Sequence, residues 1–145
     1  ASSPSGLLAV GDGGLILHFD AAGVATSEEL ESGEALFAAR WADSAWQVAG
    51  DTGLFQTSNA DAGWGRAPTR TLKGIRAADV SMSAGGAPYF LLVGEGGTIV
   101  RWEPGTGSMG RVSAAVKADF TAVAFGDDGT ALITGNDGVV VQYTP

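Results

Sequence analysis

The chain has 145 residues and a mass of 14.6 kDa, a size at which one domain buries enough surface to fold without crosslinks. Sixteen acidic residues against eight Lys and Arg give a formal net charge of -8, which disfavours nucleic acid and anionic membranes as partners. Because the chain has no Cys and one His, we predict no metal site, no cofactor and no catalytic thiol. No apolar run reaches the roughly 18 residues that a membrane-spanning helix needs, so no membrane insertion is predicted.

The chain opens with six small and polar residues, Ala1 to Gly6. A polar leader of this kind, 1–6, is typical of the segment behind a removed signal peptide or of a linker. We therefore expect an exported bacterial protein, periplasmic or extracellular.

One hairpin pattern occurs four times after the leader. In each copy an aliphatic strand enters a turn that begins and ends with glycine, and a second strand follows. Glycine tolerates the positive φ values of such turns, and an acidic or Asn side chain between the glycines bonds to turn amides. The turn glycines predicted to be structural are Gly11, Gly14, Gly50, Gly53, Gly94, Gly97, Gly135 and Gly138. The first glycines of successive turns are 39, 44 and 41 residues apart, close to the length of one four-stranded propeller blade.

This period divides the chain into repeats near 7–34, 35–74, 75–118 and 119–145. Alanine-rich strands that crowd around a central axis are predicted before the last three hairpins, at 36–41, 75–82 and 120–125. More polar outer strands are predicted after the first three hairpins, at 24–29, 66–72 and 111–117. The predicted fold is all-β, a β-propeller or partial propeller in a single domain over 7–145, with about four blades of three to four antiparallel strands.

The strand count leaves the predicted ring unfinished. The repeats give fourteen strands, with no inner strand in the first repeat and no outer strand in the last. An open row of blades exposes apolar faces and unpaired strand edges. Either the terminal blades meet in a small four-bladed ring, or a second copy or another protein completes the propeller, and we expect the second arrangement.

The repeated Val-Gly-x-x-Gly-x-Ile hairpin resembles that of bacterial propellers related to photosystem II assembly factors and to neuraminidase-repeat proteins. In the second repeat, Asp61, Gly63 and Trp64 are similar to the Asp box Ser-x-Asp-x-Gly-x-Thr-Trp, with a different spacing. The resemblance implies a propeller architecture and not an activity. It also implies that the Asp-box-like residues are structural and lie on the face away from a ligand site.

Acidic residues occupy all four glycine turns: Asp12, Asp51, Glu95 and Asp137. One or two carboxylates per turn are too few for calcium, which takes six to eight oxygens, so stabilising the turn is their expected role. If the four turns share one face, the same residues form an acidic crown that attracts cationic partners. Trp102 is the aromatic candidate for a contact with a ligand, although packing between blades is expected for at least two of the four tryptophans.

No catalytic residues are predicted, because no nucleophile with a base and no arginine, tyrosine and acid set is grouped in the sequence. The expected function is that of a non-enzymatic interaction or scaffold module that binds a protein partner or itself. A carbohydrate-binding propeller lectin is the alternative, and a glycosidase-like propeller is third. A lectin of this kind places an aromatic and a polar anchor at equivalent positions of every blade, whereas the position of Trp102 is matched by Phe19, by Ser58 or Thr57, and by Tyr143.

Overall fold

The computed structural model describes residues 1–59 and 63–145, and in these ranges the protein consists of β-strands and short 3-10 turns without an α-helix. The strands form four antiparallel sheets, which we call blades 1 to 4, and each sheet is a meander in which consecutive strands are neighbours. The strands are, in blade 1, β1 (Ser2–Ser3), β2 (Gly6–Val10), β3 (Leu15–Asp20) and β4 (Ala25–Glu29); in blade 2, β5 (Leu36–Ala42), β6 (Ala45–Gly50), β7 (Phe55–Asn59) and β8 (Gly63–Arg66); in blade 3, β9 (Ile75–Met82), β10 (Pro88–Gly94), β11 (Thr98–Glu103) and β12 (Ser108–Arg111); and in blade 4, β13 (Phe120–Phe125), β14 (Ala131–Gly135) and β15 (Val140–Tyr143).

The all-β fold of four blades with three to four antiparallel strands each is as predicted. The predicted inner strands correspond to β5, β9 and β13, and β9 packs against both of the others. In every blade a glycine turn joins the second strand to the third, and in blade 4 these strands are β14 and β15. The inner strands therefore stand side by side, and the blades radiate from them.

Blade 1 has one strand more than predicted. Ser2 and Ser3 form β1, which pairs with Leu7 and Gly6 of β2, so part of the predicted leader belongs to the sheet. Gly6 lies close to β3 on its other side, since it has a φ of 151° and a Cβ on it would lie 2.0 Å from the carbonyl oxygen of Phe19. The described ranges thus hold fifteen strands, and the count of fourteen was wrong because a two-residue strand has no periodicity to read.

Two of the three predicted outer strands lie too far along the chain. The observed strands are β8 and β12, several residues earlier than the predicted 66–72 and 111–117. Ladder bonding ends just after each strand, where Ala67 donates to Phe55 O and Val112 donates to Ile99 O, both at 2.9 Å. The chain then leaves the sheet and runs back past the glycine turn of its own blade, where Gly97 donates to Ala118 O at 2.7 Å. Apolar side chains in these segments pack without forming strands, and this packing produced the misleading pattern.

The core lies between adjacent blades rather than at the centre of the molecule. Equivalent residues of different blades can be matched by counting from the glycine turn of each blade. The third residue before the first turn glycine faces the following blade. It is 2% exposed for Leu8 in blade 1 and 0% exposed for Leu91 in blade 3, but 55% exposed for Leu132 in blade 4. The same contrast holds for the second residue after the turn, where Ile99 is 2% exposed and Val140 is 63% exposed.

The opposite side of blade 1 shows a matching exposure. The fourth residue before the first turn glycine faces the preceding blade, and it is 0% exposed for Phe90 but 55% exposed for Leu7. We define the blade 1 end face by Leu7, Ala9, Leu17 and Phe19, and the blade 4 end face by Ala122, Ala124, Leu132, Thr134, Val140 and Gln142. Within the described ranges, no strand of blade 4 packs extensively on blade 1, so the row of blades is open.

Candidate functional site

The glycine turns are built from two kinds of glycine with different requirements. The second glycine of each turn has a left-handed φ, 72° at Gly53 and 75° at Gly97, as predicted. The first glycine is extended instead, with a φ of -163° at Gly50 and -176° at Gly94. In blades 2, 3 and 4 space requires the first glycine; a Cβ on Gly94, for example, would lie 1.9 Å from the carbonyl oxygen of Gly74.

Hydrogen bonds tie the turns to the beginnings of the inner strands. Leu36 donates to Gly11 O, Glu95 donates to Gly74 O and Asn136 donates to Asp119 O, each at 3.0 Å. The side chain of Asp119 adds a further link, since it accepts from the amide of Gly96 at 2.7 Å. The turns and the starts of the inner strands therefore lie on the same side of the blades, which we call the turn face.

The turn face brings two of the four crown carboxylates together and leaves two apart. Arg76 donates to Glu95 Oε1, and its Nη2 lies 3.7 Å from Asp51 Oδ1. Asp12 and Asp137 are exposed, and within the described residues neither side chain has a hydrogen bond or an ion pair. The predicted crown is thus interrupted by a cation, because Arg76 lies beside two of its carboxylates and offsets one of their two negative charges.

A β-bulge at the second residue of each inner strand points a side chain toward the axis. In each inner strand the pairing register skips one residue. The skip lies between Leu36 and Ala38 in β5, between Ile75 and Ala77 in β9, and between Phe120 and Ala122 in β13. The skipped residues are Phe37, Arg76 and Thr121. Bulges occur where a strand must redirect one side chain without losing its register elsewhere.

These three bulged residues line a groove at the centre of the blades, which we call the central groove. It has a volume of about 500 Å³, and Arg40 and four of the six alanines predicted at the axis, Ala38, Ala39, Ala77 and Ala78, also line it. The other two predicted axis alanines, Ala122 and Ala124, are exposed on the blade 4 end face instead. The Arg76 guanidinium lies 4.1 Å from the centre of the Phe37 ring, close enough for a cation–π contact. The central groove combines an aromatic ring, a cation and a hydroxyl, with carboxylates at its edge on the turn face.

Arg40, which lines the central groove, forms one further ion pair. Arg40 Nε donates to Asp79 Oδ1 at 3.2 Å, and Asp79 Oδ2 accepts from the backbone amide of Phe125 at 2.9 Å. Asp79 thereby joins blades 2, 3 and 4. Both of its carboxylate oxygens accept hydrogen bonds that hold the inner strands together.

Trp102 does not belong to an exposed surface, and the prediction that it contacts a ligand is corrected. It is 7% exposed, and its ring packs against Phe55 and Phe90 with centroid distances of 4.8 and 5.1 Å. The ring fills the space between blades 2 and 3, as expected for packing tryptophans, and Trp46 is likewise buried. Sequence alone did not distinguish a buried ring from an exposed one at this repeat position.

The Asp-box-like residues are only partly described. Asp61 lies outside the described residues, while Gly63 and Trp64 belong to β8. Trp64 is half-buried, and its Nε1 donates to Glu28 Oε1 of the neighbouring blade at 2.9 Å. The same carboxylate oxygen lies 2.8 Å from His18 Nε2, so Trp64 serves the contact between blades 1 and 2.

Sequence reasoning missed Phe37, Arg76 and Thr121. A signal for them exists, because each inner strand begins with a large apolar residue, then the bulged residue, then Ala and a second small or β-branched residue. The first, third and fourth positions are apolar in all three copies, and the second position differs in chemistry. A repeated strand with one variable position is typical of a side chain that serves something other than the core.

The pKa shifts at the carboxylates are downward. The hydrogen bond from Arg76 and the backbone amide of Gly74 lower the pKa of Glu95 below its ordinary value of 4.5, against a smaller upward effect of burial. At Glu28, burial raises the pKa, but hydrogen bonds from His18 and Trp64 and the charge of His18 together outweigh it and leave the pKa lowered. Both groups therefore favour the ionised form in the folded protein.

We expect stability to fall in acid for this reason. A carboxyl group with a lowered folded pKa stabilises the protein above its unfolded pKa, near 4.5 for Glu95, and this contribution is lost as pH falls through the folded value. Because Glu95 is about one third exposed, replacing it with Gln should remove at most ~1 kcal/mol at pH 7, and progressively less as the pH falls below 4.5 through the folded pKa. Urea unfolding followed at several pH values measures this, and a cost of Glu95→Gln that does not decrease in acid contradicts the ion pair.

Within the described ranges, no group of three or more His, Asp or Glu side chains is placed to hold a metal ion. These ranges also contain no helix with the length and apolar character to span a bilayer.

Comparison with known proteins identifies the fold. No family model and no curated protein sequence matches the chain. Among solved structures, a streptogramin B lyase structure matches with a TM-score of 0.66 and 11% sequence identity. The match covers 100% of this chain and 57% of the lyase chain, so this chain spans little more than half of that structure. The fold is a β-propeller architecture, and at this identity the likeness shows the fold alone.

Proposed function

We propose that this protein is a non-catalytic interaction module that self-associates through its two end faces to complete a propeller. The observation that carries the proposal is the exposure of Leu132 and Val140 on blade 4 and of Leu7 on blade 1, at positions buried in the other blades. The equivalent positions are buried at the junctions between blades and exposed at the two ends of the row. Such exposed apolar positions indicate surfaces that pack against a partner.

The two end faces are complementary in kind. The blade 1 end face corresponds to the surface with which blades 2, 3 and 4 receive the blade before them. The blade 4 end face corresponds to the surface with which blades 1, 2 and 3 contact the blade after them. One copy therefore offers both halves of a blade junction, and a second copy can pack head to tail against each.

The matched length supports two copies in one ring. Four blades that span 57% of the lyase chain correspond to a ring of about seven blades, so about three blades' worth of that ring is open. Two arcs of four blades close a ring one blade larger, with eight blades about a twofold axis. Closed rings of up to eight blades occur among propellers, and closed twofold symmetry is the commonest arrangement of homo-oligomers.

The electrostatics support a role without acid–base catalysis. A general acid at neutral pH needs a raised carboxyl pKa, whereas the shifts at Glu28, Glu95 and Asp128 are all downward. The carboxylates nearest the central groove are also paired, Glu95 with Arg76 and Asp79 with Arg40. No observation favours the lectin alternative, since the aromatic at the repeated position is buried at Trp102 and replaced by Ser58 in blade 2.

Light scattering coupled to gel filtration tests the assembly. We expect a mass of about twice 14.6 kDa at high micromolar concentration. Leu132→Glu on the blade 4 end face and Phe19→Asp on the blade 1 end face should each give monomers. The matched control is Leu72→Glu, because Leu72 is 86% exposed and lies on neither end face, and it should remain dimeric.

Mixing the two dissociated variants tests the head-to-tail geometry. In a head-to-tail pair, Leu132→Glu and Phe19→Asp copies together retain one intact junction, so the mixture should regain dimers. A wild-type protein that stays monomeric at every concentration overturns the proposal. Dissociation by only one of the two variants overturns the head-to-tail ring in favour of a symmetric contact.

A further inference from the structure

The strongest concentration of positive charge in the chain lies in and after blade 2. Residues 62–78 contain no Asp or Glu and half of the eight Lys and Arg residues. These four are Arg66, Arg70, Lys73 and Arg76. Arg76 donates to Glu95, and the charge of Lys73 also acts on that carboxylate. Within the residues that the structure describes, the side chains of Arg66 and Arg70 have neither a hydrogen bond nor an ion pair, so both cations are available to an external anion.

Both of these arginines line one pocket, which we call the blade 2 pocket. It has a volume of about 290 Å³ and is lined by Thr52 and Gly53 of the glycine turn and by residues 66–72. Leu72 belongs to the same lining and is 86% exposed, more than any other large apolar side chain in the described ranges. The blade 2 pocket thus combines two cations with an exposed apolar side chain.

The segment that carries these residues is held in place by the glycine turn. Thr69 is 3% exposed, and its hydroxyl donates to Gly53 O at 2.7 Å. A Cβ on Gly53 would lie 2.0 Å from Thr71 O, so the segment packs closely against the turn. Arg70 lies between these two anchors with a left-handed φ of 57°, which is uncommon for a residue of its kind. The base of the Arg70 side chain is therefore fixed before a ligand binds, which lowers the entropy cost of binding.

The equivalent segments of blades 1 and 3 lack this combination. Each segment places one carbonyl oxygen against the second turn glycine of its blade, and the residues that do so are Leu30, Thr71 and Val116. In this alignment the position of Arg70 is Glu29 in blade 1 and Ala115 in blade 3. The position of Leu72 carries a charged side chain in both of those blades. The repeat therefore folds without a second arginine or an exposed leucine here, and both are particular to blade 2 among these three blades.

The chemistry of the blade 2 pocket suits a carboxylate beside an apolar group. Arginine guanidinium groups bind carboxylates through paired hydrogen bonds. The net negative charge of the chain repels long polyanions, whereas a single carboxylate interacts mainly with the two nearby arginines. Because Arg66, Arg70 and Leu72 are exposed, the pocket covers too little of a small free acid to bind it tightly. A peptide segment adds further contacts around Leu72.

We propose that the blade 2 pocket binds an acidic peptide segment of a partner protein, in which Asp or Glu stands next to a large apolar residue. The carboxylate lies between Arg66 and Arg70, and the apolar side chain packs on Leu72. All residues of the pocket belong to blade 2, which has a blade on each side. The pocket therefore does not depend on what covers the two end faces.

Titration of the full 145-residue protein with end-blocked hexapeptides, followed by ¹H–¹⁵N NMR, tests the proposal. The probe is a pool of peptides that each contain two Asp or Glu and two Leu or Phe. We expect saturable shifts of the backbone amides of 66–72 and of the side-chain Nε–H signals of Arg66 and Arg70, at peptide concentrations of about 1 mM. Arg66→Gln and Arg70→Gln should each weaken binding about fivefold.

Arg111→Gln is the matched control for the arginine variants. Arg111 is an exposed arginine at the position of blade 3 that corresponds to Arg66, and its replacement removes the same charge. This variant should bind the peptides as the wild type does. Equal weakening by Arg111→Gln would show attraction to the overall charge rather than to the pocket, and it would overturn the proposal. Absence of binding to the wild-type protein overturns it as well.

Three further probes test the ligand chemistry. A pool with Asn and Gln in place of Asp and Glu, and a pool with Ser in place of Leu and Phe, should each give no saturable shifts. Sodium acetate should shift the same signals only weakly. Acetate that binds as tightly as the acidic pool overturns the proposal in favour of a small-anion site, and equal binding of the uncharged pool overturns the role of the arginines.

Two variants introduced above separate this proposal from the proposed function. Leu132→Glu should be monomeric and should still bind the acidic peptides. Leu72→Glu should remain dimeric and should bind them about fivefold or more weakly. Loss of peptide binding in Leu132→Glu would place the peptide at the contact between copies, and it would overturn the proposal.

Discussion

Replacing Gly94 with alanine is expected to lower the free energy of unfolding by roughly 3 kcal/mol or more. The backbone at Gly94 is extended and suits any residue, so the cost is steric. The new Cβ would lie 1.9 Å from Gly74 O, which accepts a hydrogen bond from Glu95 at 3.0 Å. Removing this steric clash requires the start of β9 to move away from the turn. This movement also displaces Arg76 from Glu95. Thermal unfolding should show a midpoint lower by roughly 10 °C.

Gly11→Ala is the matched control for this prediction. Gly11 is the first glycine of its turn and is also extended, with a φ of -159°, but no atom lies within 4 Å of a Cβ built there. We expect a change within about 0.5 kcal/mol. Equal effects at the two glycines would show that the close approach to Gly74 O is not what requires Gly94.

Leu91→Ala is expected to cost about 2 to 5 kcal/mol, because Leu91 is fully buried between blades 3 and 4 and its truncation leaves a cavity. Leu132 holds the corresponding position in blade 4 and is 55% exposed. Leu132→Ala should therefore cost less than ~1 kcal/mol in dilute solution. Denaturant unfolding of both variants at two protein concentrations measures the difference.

The concentration dependence links this pair of variants to assembly. If a second copy covers the blade 4 end face, Leu132→Ala should become more costly as the protein concentration rises, while the cost of Leu91→Ala on the monomer stays constant. A large cost of Leu132→Ala at the lowest concentration would mean that another part of the same chain covers Leu132.

Much of the fold was readable from the sequence because its signals are local. The left-handed conformation of Gly53 and Gly97 is a constraint on the turn itself, and it fixes where two strands meet. The second strands of blades 2 and 3, β6 and β10, carry runs of buried residues that a sequence displays directly. The outer strands β8 and β12 have four residues each, with little burial, and their positions depend on where the hairpin closes rather than on any periodicity.

The central groove was much less predictable, because it depends on residues that meet only after the blades pack. Arg76 contacts Asp51, 25 residues earlier, and Glu95, 19 residues later. Its direction follows from a bulge, which interrupts the alternation by which a strand is recognised. The burial of Trp102 is equally non-local, since it requires Phe55 from the neighbouring blade.

The bulges separate two roles within each inner strand, core packing and lining of the central groove. The residues on either side of Phe37 and Arg76, and Phe120 before Thr121, pack in the core, whereas the bulged side chains face the central groove. Substitutions at these three positions can therefore alter the chemistry of the axis while the interblade packing is left intact. Each added blade contributes one more such position, so the number of interchangeable side chains around the axis grows with the ring. Randomising 37, 76 and 121 together would yield a family of grooves on one unchanged scaffold.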